Sequence, residues 1–292
     1  MGTCVRDLRE AQLRWATKAC LPRVDAPAGQ PRSYYLRDYS LNLLEPLSPE
    51  TQRGFEAADG NELAHGGKRP AKMAALHSSS ALACNFFHYW QSRDLVALVL
   101  DACGLPVEGI TRFALETKLP IDTRFKYAPN LDACVTYANE EPVALAGIEC
   151  KFCEPFVGKK TTLSAKYLDH ALTPLWKDRP ALLALAETCT GQDSGYVHLD
   201  VPQLLKHLLG LRKQSLGRPT HLLYLYFDHK GPAATRHRDE IQRFTSVTRA
   251  DGVGFSALAY QAVMARLVAH RSPHPVWFEY MTARYFAGDG GC

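Results

Sequence analysis

The stretches Asn130-Leu131-Asp132 and Gly147-Ile148-Glu149-Cys150-Lys151-Phe152 decide the fold, because each sets acidic chemistry inside a short apolar run. Val143 to Phe152 reads as a strand: its apolar residues form no helical stripe, and Glu141-Pro142 and Pro155 bound it. Side chains alternate between the faces of a strand. Glu149 and Lys151 therefore share one face, about 6.5 Å apart along the chain, while Ile148, Cys150 and Phe152 take the other. A carboxylate and an ammonium on an apolar strand are costly to bury unless they are paired or coordinated. Upstream, Leu131 to Tyr137 gives a second strand carrying Asp132, and Arg112 to Leu119 a further one carrying Glu116. The linker from Ala138 to Pro142 suits a hairpin turn centred near residues 140 and 141. Asp132 and Glu149 are equidistant from that centre, so the hairpin sets them level and three acids and one lysine converge on one sheet face.

Outside these strands the pattern is mostly helical. Helices are expected at Ser164–Trp176, Pro180–Thr188 and Asp200–Gln214, the last capped by Asp200 and striped with leucine. On it Gln203 and His207 share a face, with His207 expected at the helix surface. His221–Phe227 reads as a buried strand, Gly252–Ser256 as a short strand or turn, and Thr235–Thr248 and Leu258–Ala269 as helices, with Trp277–Phe286 closing the fold. A helix pair, Ser78–Gln91 and Arg93–Cys103, precedes the strands. Before it come a short helix near Val5–Ala19, a proline-rich stretch, and a Ser48–Pro70 tract that reads as loop from its glycines. The order implies an α/β fold with one mixed central sheet flanked by helices, residues 76–292, carrying a helical and irregular N-terminal extension, residues 1–75.

With 292 residues, 46% of them hydrophobic, the chain can bury a sizeable core. Lys and Arg number 34 against 30 Asp and Glu, a net charge of +4, so a polyanion would be held by a local patch rather than by the whole-molecule field. The 9 cysteines include Cys84, Cys134 and Cys150 inside apolar runs, which favours a reducing cytoplasm over a disulfide framework. Cys150 and Cys153 have no second Cys or His pair after them, so packing is expected of them rather than zinc. Residues 1–14 lack the apolar segment of a secretory signal, and no apolar run is long enough to span a bilayer, so no membrane partner is expected.

Hydrolysing a phosphodiester at neutral pH needs a nucleophilic water, charge stabilisation on the phosphate and relief for the leaving oxygen, all of which divalent metals supply. Hard oxygen donors such as Asp132 and Glu149 suit Mg²⁺, which keeps several waters and asks for only one or two carboxylates. The backbone carbonyl of Cys150 offers a further ligand. Lys151 would then orient or deprotonate the attacking water, as electrostatic clamp or as base.

Asp132 followed one hairpin later by Glu149-Cys150-Lys151 resembles the PD-(D/E)XK nuclease superfamily, whose fold is the restriction-endonuclease-like one. Within it the chain is similar to a family of bacterial restriction-endonuclease-like proteins through Ser78 to Ala83, Pro129 to Asp132, Ile148 to Pro155 and Gln203 to His207. Leu131 stands where the superfamily has proline, and Ser80 where glutamine is expected. The resemblance implies a Mg²⁺-dependent deoxyribonuclease, Mn²⁺ serving as alternative, with Asp132 and Glu149 on the metal, Lys151 as catalytic lysine and Glu116 as an upstream acid of the same site. Gln203 matches the superfamily's accessory helix glutamine, and His207 and Arg212 on the same helix are candidates to meet the nucleic acid. Cutting a two-fold symmetric duplex would favour a homodimer. The alternatives are a nuclease-fold module that binds nucleic acid or protein without cutting, and a metal-dependent hydrolase of small phosphodiesters.

Overall fold

Five strands, β1 (Ile110–Lys118), β2 (Asn130–Tyr137), β3 (Leu145–Lys151), β4 (Thr220–Tyr226) and β5 (Gly254–Ala259), form one sheet in the order β1-β2-β3-β4-β5. This is a computed structural model, and it describes residues 3–26, 30–58, 60–64, 70–138, 142–191 and 193–287. β1, β2 and β3 pair antiparallel, and β3 pairs parallel with β4, so the sheet is mixed. The expected hairpin joins β2 to β3; its turn residues 139–141 lie outside the described residues.

The chain divides into two units, Thr3–Val107 with the segment from Ala259 onward, and Glu108–Leu258. The boundary expected at 75/76 lies inside the first, and a separate body for residues 1–75 stays a proposal. The sheet belongs to the second unit, together with α5 (Thr173–Trp176), α6 (Pro180–Thr190), α7 (Val201–Gln214) and α8 (Pro232–Ala250).

α7 is the element that matters most for the site, since it packs on β3 and β4. Asp200 caps it, accepting from Gln203 N at 3.0 Å. The approach to it is fixed by the buried Glu240, whose carboxylate accepts from the backbone amides of Val197, His198 and Leu199. Close packing uses a glycine: a Cβ at Gly210 would stand 2.7 Å from the Cβ of Leu119.

The first unit holds α1 (Thr3–Lys18), α2 (Pro49–Ala57), α3 (Ser79–Gln91), α4 (Val96–Ala102), α9 (Tyr260–Leu267) and α10 (Pro275–Met281). Its core sets Phe86 edge-on against Tyr260 and Trp277, with Trp277 Nε1 donating to Asn85 O at 2.8 Å. Arg284 is buried; it donates to Gln12 Oε1 at 3.1 Å and to Asn42 O at 2.7 Å, and its guanidinium lies over the Trp15 ring.

Three expectations are corrected. The Ser48–Pro70 tract is not all loop, because Ser48 caps α2 by accepting from Thr51 N, Pro49 starts the helix, and Thr51 and Phe55 supply a buried face. Ser164–Trp176 is not one helix; Ser164 and Asp169 each turn a side chain onto nearby amides and break it into 3₁₀ turns before α5. The closing segment starts at Pro275 and passes at Thr282 from α10 into a π-helical turn ending at Phe286.

Candidate active site

The β2–β3 register pairs Ala133 with Ile148 and Cys134 with Gly147, and the next step of the same register sets Asp132 opposite Glu149. At this strand end Asp132 reaches across rather than outward: its Oδ2 accepts from the Cys150 backbone amide at 2.7 Å. Glu149 is 2% exposed and both its oxygens are engaged. Lys151 Nζ, on the same face of β3, stands 2.5 Å from Oε1. His207 Nε2 comes in from α7 to 3.0 Å from Oε2, at ion-pair distance but without the alignment of a hydrogen bond. Glu154 closes the corner after β3, its Oε2 accepting from Phe152 N at 2.9 Å.

The charges are strongly perturbed. Burial pushes the Asp132 carboxyl well above its ordinary range, reinforced by the nearby Glu149 and Glu116 and opposed by Lys151. Burial acts on Glu149 in the same direction, but Lys151 and His207 outweigh it and hold the carboxyl at about 2. For Lys151, burial disfavours the charge while Glu149, Glu154 and Asp132 together more than offset it, so the ammonium is held above its usual range. One acid is thus ionised and paired, and its neighbour is pushed toward neutrality first by burial and then by like charge.

Glu116, on β1, belongs to this field at longer reach. It lies between Leu115 and Thr117, which pair with Ala133 and Leu131, and so falls opposite Asp132. Its φ of +51° is left-handed, a conformation that costs a non-glycine residue about 1–3 kcal/mol. Cys150 contributes a buried side chain to the core and its amide to Asp132; Cys153 is buried too, as packing.

His207 is 1% exposed, which corrects its expected place on the helix surface: α7 turns it inward onto Glu149. Gln203 lies one turn earlier on the same helix. Arg212 is not brought to the acids, and its charged neighbours are Arg179 and Asp178. Two members of the surroundings were not anticipated. Tyr224 pairs with Glu149 across the parallel β3–β4 ladder, is 1% exposed, and shares its hydroxyl with His237 Nε2 at 2.9 Å. Nothing in the apolar run Leu222 to Tyr226 singles Tyr224 out, because β4 is buried on both faces.

Among the described residues no group of three or more His, Cys, Asp or Glu is placed to hold a metal ion. The donor chemistry fits a hard cation nonetheless. Two carboxylates on adjacent strands, one of them driven toward neutrality by burial and by its like-charged neighbours, are what Mg²⁺ asks of a protein when water and substrate complete its shell. No described helix is long and apolar enough to cross a membrane.

No curated protein and no solved structure matches the chain. A family does: residues 9–286, covering both units, match the one described as Restriction Endonuclease associating with ARP. With its mixed sheet and the acid and lysine pattern of β2 and β3, the chain belongs to this restriction-endonuclease-like family.

Proposed function

We propose that this protein is a divalent-metal-dependent nuclease that hydrolyses phosphodiester bonds of DNA. The observation that carries the reading is the Glu149–Lys151 pair buried at a strand end, with Asp132 set against it from the neighbouring strand. Asp132 and Glu149, helped by the Cys150 carbonyl and Glu116, would hold Mg²⁺ or Mn²⁺. When bound, that cation supplies an activated water and neutralises charge on the phosphate. With its ammonium favoured by the surrounding carboxylates, Lys151 would donate to the attacking water, orienting its lone pair, or to an oxygen of the scissile phosphate. His207 is a positioning residue that fixes the second oxygen of Glu149. Gln203, on the substrate side of α7 by this reading, would touch the nucleic acid. A homodimer in the cytoplasm completes the proposal.

Supercoiled plasmid incubated with the full chain in Mg²⁺ or Mn²⁺, against a chelator control, tests it. Metal-dependent nicked or linear product is expected; intact plasmid under all conditions contradicts it. The engagement of both Glu149 oxygens favours one second reading, a nuclease-fold module that binds DNA without cutting. That reading predicts salt-sensitive DNA binding and no product.

A further inference from the structure

A cavity of about 440 Å³ lies within the second unit where the chain enters β3, β4 and β5, away from the acids at the far end of β3. Its size is that of small-molecule sites. One wall is apolar, made by Trp176 and by Leu205, Leu208 and Leu209 of α7. Against it stand three guanidinium groups, Arg179, Arg212 and Arg218, and none of the lining residues is acidic.

The cations are arranged rather than scattered. Arg179 Nη1 is held by the backbone oxygens of Asp178 and Asp251, at 3.0 and 2.5 Å. The Asp251 carboxylate is already spent on the amides of Ala181 and Leu182 at the start of α6. Arg218 is exposed and anchored through Nε to Ser215 O at 2.8 Å. Arg212 Nη1 is buried with no hydrogen-bond partner, a costly state for a charged donor. Burial lowers the Arg212 pKa from its usual value, and the like charge of Arg179 adds to this, against a smaller opposing pull from Asp178. Two like charges thus line one cavity that has no acidic lining residue, and an anion there would supply the counter-charge.

We propose that this cavity binds a phosphomonoester of mononucleotide size, its phosphate on Arg212, Arg179 and Arg218 and its ring against Trp176 and the leucines of α7. Three guanidiniums match a doubly charged phosphate, and the indole and leucine wall calls for an apolar or planar body behind it. The site is separate from the acidic centre and does not depend on that centre being catalytic.

Calorimetric titration of the full chain with AMP and TMP, with their nucleosides, and with inorganic phosphate tests this. At least one nucleotide is expected to bind saturably, tenfold or more tighter than its nucleoside and than inorganic phosphate. Arg212→Gln should weaken it at least tenfold. Arg218→Gln, at an exposed position that tolerates change, and Leu208→Trp, which fills the cavity, should each weaken it too, whereas Lys151→Ala should leave it unchanged. Circular dichroism confirms that each variant is folded. The proposal is overturned by any of three results: no saturable nucleotide binding, phosphate binding as tightly as the nucleotides, or affinity lost in Lys151→Ala and retained in the cavity variants.

Discussion

Glu149 is the residue on which the centre turns. A buried carboxylate flanked by Lys151 and His207 is held ionised and oriented, and it in turn keeps the Lys151 ammonium charged. Removing the imidazole leaves the Lys151 contact in place but frees one oxygen. His207→Ala is therefore expected to lower metal-dependent cleavage about 10–100-fold and to raise the metal concentration needed for half-maximal rate. Kinetics across a Mn²⁺ titration check it; an unchanged metal dependence would show that His207 merely fills space. Asp132, Glu149 and Lys151 could be picked out from the sequence because strand alternation and a hairpin of readable length fix faces and register with few assumptions. His207 could be found as a residue but not placed. A histidine amid the leucines of α7 shows no sign of which carboxylate it will meet, since that depends on how the helix docks on the sheet.

At the scale of elements, α7 connects the two features of the second unit, carrying His207 to Glu149 and lining the cavity with Arg212. Its seat depends on Gly210. Replacing it with alanine would gain about 1 kcal/mol of helix propensity but press a methyl group onto Leu119, where overpacking costs about 1–3 kcal/mol. The net expectation for Gly210→Ala is a loss of stability, read as a lower midpoint in urea unfolding with unchanged slope. A higher midpoint would mean that α7 sits further from Leu119 than described. The strands were legible because their apolar runs are bounded by proline and turn residues. Helices misread from sequence are those whose ends are set by side chains rather than by periodicity: Ser48 starts α2 inside a glycine-bearing tract, and Ser164 and Asp169 break the stretch before α5.

For the whole molecule, each unit holds a histidine as the neutral ring, His77 half-buried in the first and His237 buried in the second. His77 is lowered to about 4, mainly by burial and then by Arg9, and His237 to about 3, by burial and then by His198 and Arg238. In the unfolded chain both take a proton near the ordinary value of 6.5, so between that pH and their folded values the unfolded state binds more protons. Their contribution to stability is complete above pH 6.5 and is lost as pH falls toward 4 and 3. His237→Gln keeps an acceptor for the Tyr224 hydroxyl and removes the titration. Its melting temperature should fall less steeply than that of the unaltered chain on going from pH 6.5 to pH 4, and equal slopes would exclude His237 as a source of acid sensitivity. Such melts also show whether a variant is folded before its activity is judged. The proposal that Asp132 and Lys151 form one catalytic centre with Glu149 is tested most directly by the initial rate of plasmid cleavage in Mg²⁺ or Mn²⁺ by folded Asp132→Ala and Lys151→Ala. Each variant is expected to lose at least about 100-fold in rate; cleavage at the unaltered rate in either one would rule the shared centre out.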